Sequence, residues 1–272
     1  AFADIGVGLA ATIALASPTI DAAFILRAAL LFLASGSLYL AGMVWNDFFD
    51  LEEDRRDRPF RPLASGKIAL KTARLIGFGL FIVGVASASL SGLHDDGWHP
   101  QGAVLGGLLV AAILAYDARI KRTSAGPIGM ALCRFLNVLL GLSLTDVNAI
   151  PWITRLHVAA TVGVYIVGVT WFARTEEKRS SPEVLRAAAL VLLAALLLTL
   201  AVPVRVPPGT ASPFFPYLLV AFGFLIGVPV MRAIRQPTPA NVQAGVKRCI
   251  LGLVGLDALL ASVFVGTPGL LL

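Results

Sequence analysis

Between Asn46 and Lys67 the chain reads NDFFDLEEDRRDRPFRPLASGK, a dense run of charge set between two long apolar runs. Asn46, Asp50 and Asp54 stand at i, i+4 and i+8. If the preceding helix continues through them, one side-chain amide and two carboxylates line a single face. These hard oxygen ligands suit Mg2+ better than zinc or copper. Mg2+ commonly takes one or two carboxylates and fills its shell with substrate phosphate and water. Behind the acids come Arg55, Arg56, Arg58, Arg61 and Lys67, and guanidinium groups match the charge and fork geometry of a phosphate. The chemistry implied is metal-assisted handling of a phosphorylated substrate. A solvated loop whose acids and arginines simply pair with each other has the same charge content, and only the order of the residues separates the two.

The elements that must position this stretch are membrane helices. Of 272 residues, 57% are hydrophobic and 14% charged, and the mean hydropathy is +0.84, whereas soluble domains carry nearer a quarter charged residues. About 20 apolar residues cross a bilayer as a helix. Nine runs qualify, near 1–16, 23–46, 69–91, 101–117, 126–145, 152–173, 183–203, 213–233 and 243–265. The first is short, and with no initiating Met the reading is a first helix trimmed at its N-terminus. The fold expected is an all-α, polytopic membrane helical bundle of about nine transmembrane helices in one domain, 1–272.

Eighteen of the 22 lysines and arginines fall in or beside the connections after runs two, four, six and eight. By the positive-inside rule these connections are cytoplasmic. The chain is therefore expected to be a multi-pass integral membrane protein, in the cytoplasmic membrane if bacterial, with the charged stretch facing the cytoplasm and membrane lipid as its surroundings. Topology accounts for the net charge of +6, so no nucleic-acid partner is called for. Cys133 and Cys249 lie inside or at the edge of apolar runs and suggest neither a disulfide nor a metal site.

Arg134 and Asn137 are three apart in run five, on one helical face. A charge at that depth normally faces a bundle interior or a wet cavity. Arg134 can hold an anionic group of a ligand, a phosphate or a carboxylate, or can form an ion pair with Asp257, which lies similarly deep in run nine. His94, Asp95, Asp96 and His99 fall on the opposite side and read as a wet loop. Gly102 with Gly106, and Gly252 with Gly255, read as close helix packing.

The order N-D-x-x-D-x-x-x-D, followed by R-P-x-R-P-L-x-S-G-x-I, resembles the first aspartate-rich motif of the UbiA family of intramembrane prenyltransferases. Asn46, Asp47, Asp50 and Asp54 fill the four motif positions, and Arg58, Pro59, Arg61, Pro62, Leu63, Ser65, Gly66 and Ile68 fit the tail. The surroundings of Arg134 are similar to the EboC-like branch. The resemblance implies a UbiA-type bundle that binds an isoprenoid diphosphate through Mg2+ and transfers its prenyl group to a lipophilic, usually aromatic acceptor. Asn46, Asp47, Asp50 and Asp54 would be metal ligands. Asp50, Asp54 and Lys121 would be catalytic, and Arg58, Arg61, Lys121, Arg122, Arg134, Asn137 and Tyr116 would contact the diphosphate.

Tyr116 and Lys121 follow the family's pattern after the fourth helix, although an aromatic anchor and a snorkelling lysine have the same appearance. A second aspartate-rich motif is expected after run six. Thr175, Glu176 and Glu177 stand there instead, so Glu176 or Glu177 would complete the metal shell with a side chain one methylene longer. Three alternatives keep the same motif or helix count: an isoprenoid-binding or carrier protein that does not turn over, intramembrane terpene cyclisation, and a secondary transporter. The last would gather ionisable groups at the midplane on broken helices, whereas here they sit in one-sided loops.

Overall fold

In the computed structural model, residues 1–145, 148–174 and 181–271 are described. Among them are ten helices: α1 (Phe2–Ala16), α2 (Ala22–Phe49), α3 (Leu51–Asp57), α4 (Leu70–Leu90), α5 (Gln101–Ala118), α6 (Gly126–Gly141), α7 (Trp152–Ala173), α8 (Pro182–Ala201), α9 (Phe215–Arg235) and α10 (Pro239–Val265). Eight of them are long and apolar enough to cross a membrane. The expected first span, α1, has 15 residues and is shorter than a crossing requires. Those eight helices and the shorter α1 match the nine apolar runs.

The differences lie at the ends, where hydropathy alone is a poor guide. α2 runs on to Phe49, and α10 begins at Pro239, because Pro suits the first helical turn and the Thr238 hydroxyl accepts from the Asn241 N–H at 3.4 Å. At the start of α2 the Asp21 carboxylate accepts from the Phe24 N–H at 2.7 Å. The wet loop expected after α4 is a two-residue hairpin, with Leu93 opposite Trp98 and His94 opposite Gly97. There His99 lies 3.3 Å from Asp96, and burial holds the His94 imidazole below its usual pKa.

Sequence neighbours pack as spatial neighbours: α2 on α4, α4 on α5, α5 on α6, α6 on α7, and so on to α10, which returns to α1. α1 also packs on α6, so the ring of helices has α1 drawn in against its middle. That crossing is close enough to require glycine on both sides. A Cβ on Gly8 would fall 2.2 Å from the Gly141 carbonyl carbon, and one on Gly141 would fall 2.9 Å from the Ile5 Cα. Gly102 is similarly tight against the Ala88 carbonyl oxygen, at 2.2 Å. The expected packing role holds for that residue, as backbones approach most closely over small side chains.

At the α6–α7 turn a buried guanidinium does the work of a cap. Arg155, 1% exposed, donates to the carbonyls of Ile150 at 2.8 Å, Leu142 at 2.6 Å and Thr145 at 2.5 Å. These carbonyls cluster at the irregular junction between α6 and α7, where backbone groups outside the α-helices need capping partners.

Candidate active site

The end of α2 is fixed from behind by aromatic packing. Trp45 stacks on Phe81 at 6.2 Å and meets Phe78 edge-on at 4.9 Å, both from α4. Each such pair adds about 0.5–1.5 kcal/mol beyond burial. The expected continuation of the helix through Asp54 is interrupted at Asp50, whose backbone sits at φ −91°, ψ 3° between α2 and α3. The hydrogen-bond ladder nevertheless bridges the break. The Asp50 N–H donates to the Asn46 carbonyl at 3.0 Å, and the Asp54 N–H to the Asp50 carbonyl at 2.8 Å. The four-residue spacing of Asn46, Asp50 and Asp54 therefore survives.

The motif's tail folds back as a compact turn. Leu51, Leu63 and Ala73 bury one another. The Ser65 N–H donates to the Arg61 carbonyl at 2.8 Å, and Gly66 takes a left-handed φ of 76° that glycine adopts without strain. This turn carries Arg61 over the acids. α5 delivers Tyr116 and Asp117, and a single 3-10 turn after it, Ile120–Arg122, delivers Lys121 and Arg122.

Acids and bases interlock. Lys121 Nζ lies 2.7 Å from Asp50 Oδ2, and Arg122 Nη2 lies 2.7 Å from Asp50 Oδ1. One Arg61 nitrogen, Nη1, serves both Asp54 at 2.9 Å and Asp47 at 3.0 Å. The Asn46 amide donates to Asp117 at 3.1 Å, and Lys121 stands 3.9 Å from that same carboxylate. Four carboxylates thus meet three cationic side chains. Asp54 and Asp117 are buried, so the contacts they make are not the loosely solvated surface pairs that contribute little.

Below this cluster opens a cavity of about 510 Å³ between α2, α5 and α6. Asn46, Asp47, Arg61, Tyr116 and Asp117 form its mouth, and Leu38, Met43, Leu109, Ile113 and Met130 give it apolar walls. Ser35, Arg134 and Asn137 form its floor. Ser35 precedes Asn46 by eleven positions on α2, so floor and mouth are about 16 Å apart along the helix.

The floor is a second polar layer. Arg134 Nη1 donates to Asp4 Oδ2 at 2.8 Å, Asn137 Nδ2 donates to the same oxygen at 2.7 Å, and the Ser35 hydroxyl donates to Asn137 Oδ1 at 2.8 Å. Arg134 is therefore paired with Asp4 of α1, where the sequence offered Asp257. Asp257 lies close by, fully buried, with Oδ1 lacking a hydrogen-bond partner among the described residues. Neither Arg134 nor Asn137 touches the carboxylates of the mouth.

The structure thus gathers Asn46, Asp47, Asp50, Asp54, Arg61, Tyr116, Lys121 and Arg122 at one mouth, and leaves Arg134 and Asn137 on the floor. Arg58 caps α3 with its side chain exposed, apart from the interlocked acids. Glu176 and Glu177 lie outside the described residues. Two residues were missed. Asp117 precedes Lys121 by four, a spacing at which helical residues interact, and Asp4 is an acid inside an apolar run, which is itself a signal.

Among the described residues no three His, Cys, Asp or Glu side chains converge as a ready-made metal cage. The donors at the mouth fit Mg2+ in another way. They are all oxygen, and Mg2+ is usually held by one or two carboxylates together with substrate phosphate.

The profile of the UbiA prenyltransferase family matches residues 5–249. The chain belongs to the UbiA prenyltransferase family. Membership, with eight spanning-length helices, makes it a multi-pass integral membrane protein. Among curated UbiA relatives, the digeranylgeranylglyceryl phosphate synthase of Saccharolobus solfataricus is 34% identical over 92 residues, covering 34% of this chain and 30% of that one. The corresponding synthase of Methanopyrus kandleri is 28% identical over 155 residues, 48% of this chain and 57% of that one. These matches span less than two thirds of the relatives' length. A solved structure concerning digeranylgeranylglyceryl phosphate synthase in membranes superposes with a TM-score of 0.69 at 19% identity, over 98% of this chain and 93% of the other. A UbiA homologue from Aeropyrum pernix gives 0.64 at 18%, over 99% and 96%. At these identities the two structures show a common fold.

Proposed function

We propose that this protein, acting as one domain, transfers the prenyl group of an isoprenoid diphosphate to a lipophilic, aromatic acceptor inside the membrane, with Mg2+ as cofactor. The observation that carries this reading is the interlocked set of carboxylates and cations at the open end of an apolar cavity. The relatives named for a digeranylgeranylglyceryl phosphate product support an isoprenoid chain as the cavity's occupant. The bias of basic residues supports a mouth on the cytoplasmic side.

The charge balance explains why a metal belongs here. Arg61, Lys121 and Arg122 are each committed to carboxylates. They can engage a phosphate fully only when those carboxylates have another cation to hold. Asp47, Asp50 and Asp54, with the Asn46 amide, would hold Mg2+, and Glu176 or Glu177 is the proposed further ligand. When bound, Mg2+ supplies Lewis-acid stabilisation of charge on the leaving diphosphate.

The chain's own groups then act as follows. Arg61, Lys121 and Arg122, with Tyr116 alongside, neutralise diphosphate oxygens. As the allylic carbon–oxygen bond breaks, its electron pair departs with the diphosphate, and these donors stabilise the charge that grows there. Leu38, Met43, Leu109 and Ile113 exclude water from the carbocation. A ring carbon of the acceptor supplies the electrons of the new carbon–carbon bond and then loses its proton.

The deciding experiment is binding of geranylgeranyl diphosphate to the purified protein with Mg2+ or with EDTA, for wild type, Asp50→Asn and Asp54→Asn. Binding that needs both metal and carboxylates is expected. Binding indifferent to EDTA and to both substitutions would overturn the reading, and metal-dependent binding that yields neither a prenylated acceptor, aromatic or glyceryl phosphate, nor a cyclised product would reduce the protein to an isoprenoid carrier.

A further inference from the structure

A second hollow lies on the opposite half of the ring, on the outer face between α8 and α9, with a volume of about 790 Å³. It shares no lining residue with the cavity described above. Leu193 and Leu196 of α8 form one wall, and Val220, Phe224 and Val228 of α9 form the other. These three residues of α9 recur every fourth position, so they make a continuous apolar strip. Its width comes from Gly223 and Gly227, since a Cβ on Gly227 would meet nothing within 4 Å.

The same strip ends on two cations. Arg232 follows Val228 by four and Arg235 follows Arg232 by three, and both guanidinium groups, with Gln236, close the hollow at that end. Both arginines are exposed, and neither takes part in an ion pair among the described residues. They lie in the last turn of α9, at the end of the ring that carries the other basic connections. From Val220 to Arg232 the strip rises about 18 Å, against about 15 Å for the hydrocarbon depth of one leaflet.

We propose that this groove binds one anionic diacyl phospholipid of the cytoplasmic leaflet, an acyl chain lying against the Val220–Phe224–Val228 strip and the phosphate held by Arg232 and Arg235. The charge selects the occupant. A prenyl or acyl chain alone would satisfy the apolar strip, and a zwitterionic headgroup would bring its own cation against two guanidiniums. Basic pockets between transmembrane helices at this depth are matched to anionic headgroups, and paired arginines match phosphate in fork geometry.

The test is native mass spectrometry of the full chain in detergent, titrated with dioleoyl phosphatidylglycerol or dioleoyl phosphatidylcholine. Wild type is expected to retain the anionic lipid in preference to the zwitterionic one. Arg232→Gln/Arg235→Gln should lower affinity for phosphatidylglycerol by about 30-fold, to the level of phosphatidylcholine. Arg232→Lys/Arg235→Lys should keep most of the preference, and Gly227→Trp, which fills the groove, should lose both lipids. Unchanged helical circular dichroism and melting show that each variant is folded. Equal retention of the two lipids by wild type would overturn the proposal, as would a preference that survives the double Gln substitution or occupation of the groove by a second copy of the chain.

Discussion

Lys121→Met tests the part of the mouth where, on the proposed reading, Mg2+ would compete with Lys121 for Asp50. Lys121 Nζ is 2.7 Å from Asp50, a gross attraction of roughly 6 kcal/mol at an effective dielectric of about 20, most of it offset by desolvation of the two ions. Asp50 keeps Arg122 at 2.7 Å after the substitution, so the carboxylate is not left unpaired and the fold should survive. The effect should divide by ligand. Loss of one charge-assisted contact to the leaving diphosphate should cost about 1.5–3 kcal/mol, a fall in kcat/KM of roughly 10- to 150-fold. Mg2+ affinity of the substrate-free protein should hold or rise, because a competitor for Asp50 has gone. The assay pairs product formation from radiolabelled geranylgeranyl diphosphate with Mg2+ titration followed by melting temperature. Unchanged kcat/KM, or Mg2+ affinity falling in step with activity, would refute the division of labour between acids and bases.

Three further outcomes follow from particular contacts. Arg134→Gln strips the cation from Asp4, which is fully buried, and should cost about 3–5 kcal/mol. A matching drop in melting temperature, relieved by adding Asp4→Asn, supports a structural floor, whereas lost activity at an unchanged melting temperature would make Arg134 a substrate contact. Arg155→Met abandons three buried carbonyls at the α6–α7 turn, each worth about 1 kcal/mol or more, so melting should fall with little change in substrate KM. Gly8→Val drives a side chain into the Gly141 carbonyl and should destabilise by at least about 1–3 kcal/mol, read by thermal melting or by expression level; unchanged melting would mean that the α1–α6 crossing is looser than described.

The helices were legible because the bilayer imposes the same length and apolarity on each of them. Their ends were less so: Ala240, Asn241 and Val242 read as a connection before the run that starts at residue 243, and only the Thr238 cap and Pro239 show that α10 has already begun. The mouth was legible as a set of residue types, since Asn46, Asp50 and Asp54 keep their spacing across the break at Asp50. Its pairing was not. Which acid faces Arg61 depends on how the turn from Arg58 to Ala69 folds back, and that is set by Leu51, Leu63 and Ala73 burying one another. Arg134 illustrates the same limit. Its depth follows from its position in an apolar run, but the choice of Asp4 over Asp257 depends on the rotation of α1 and α10 about their axes, which one chain's hydropathy does not encode.

The sharing of one guanidinium nitrogen by Asp47 and Asp54 has a thermodynamic consequence. A cation that draws these two acids away releases Arg61, and an anion that draws Arg61 away releases the two acids. On the proposed reading, metal and diphosphate would therefore favour each other's binding, and linkage requires the two enhancements to be equal. A protein built this way would bind Mg2+ and diphosphate each more weakly alone than together, and respond cooperatively to the pair.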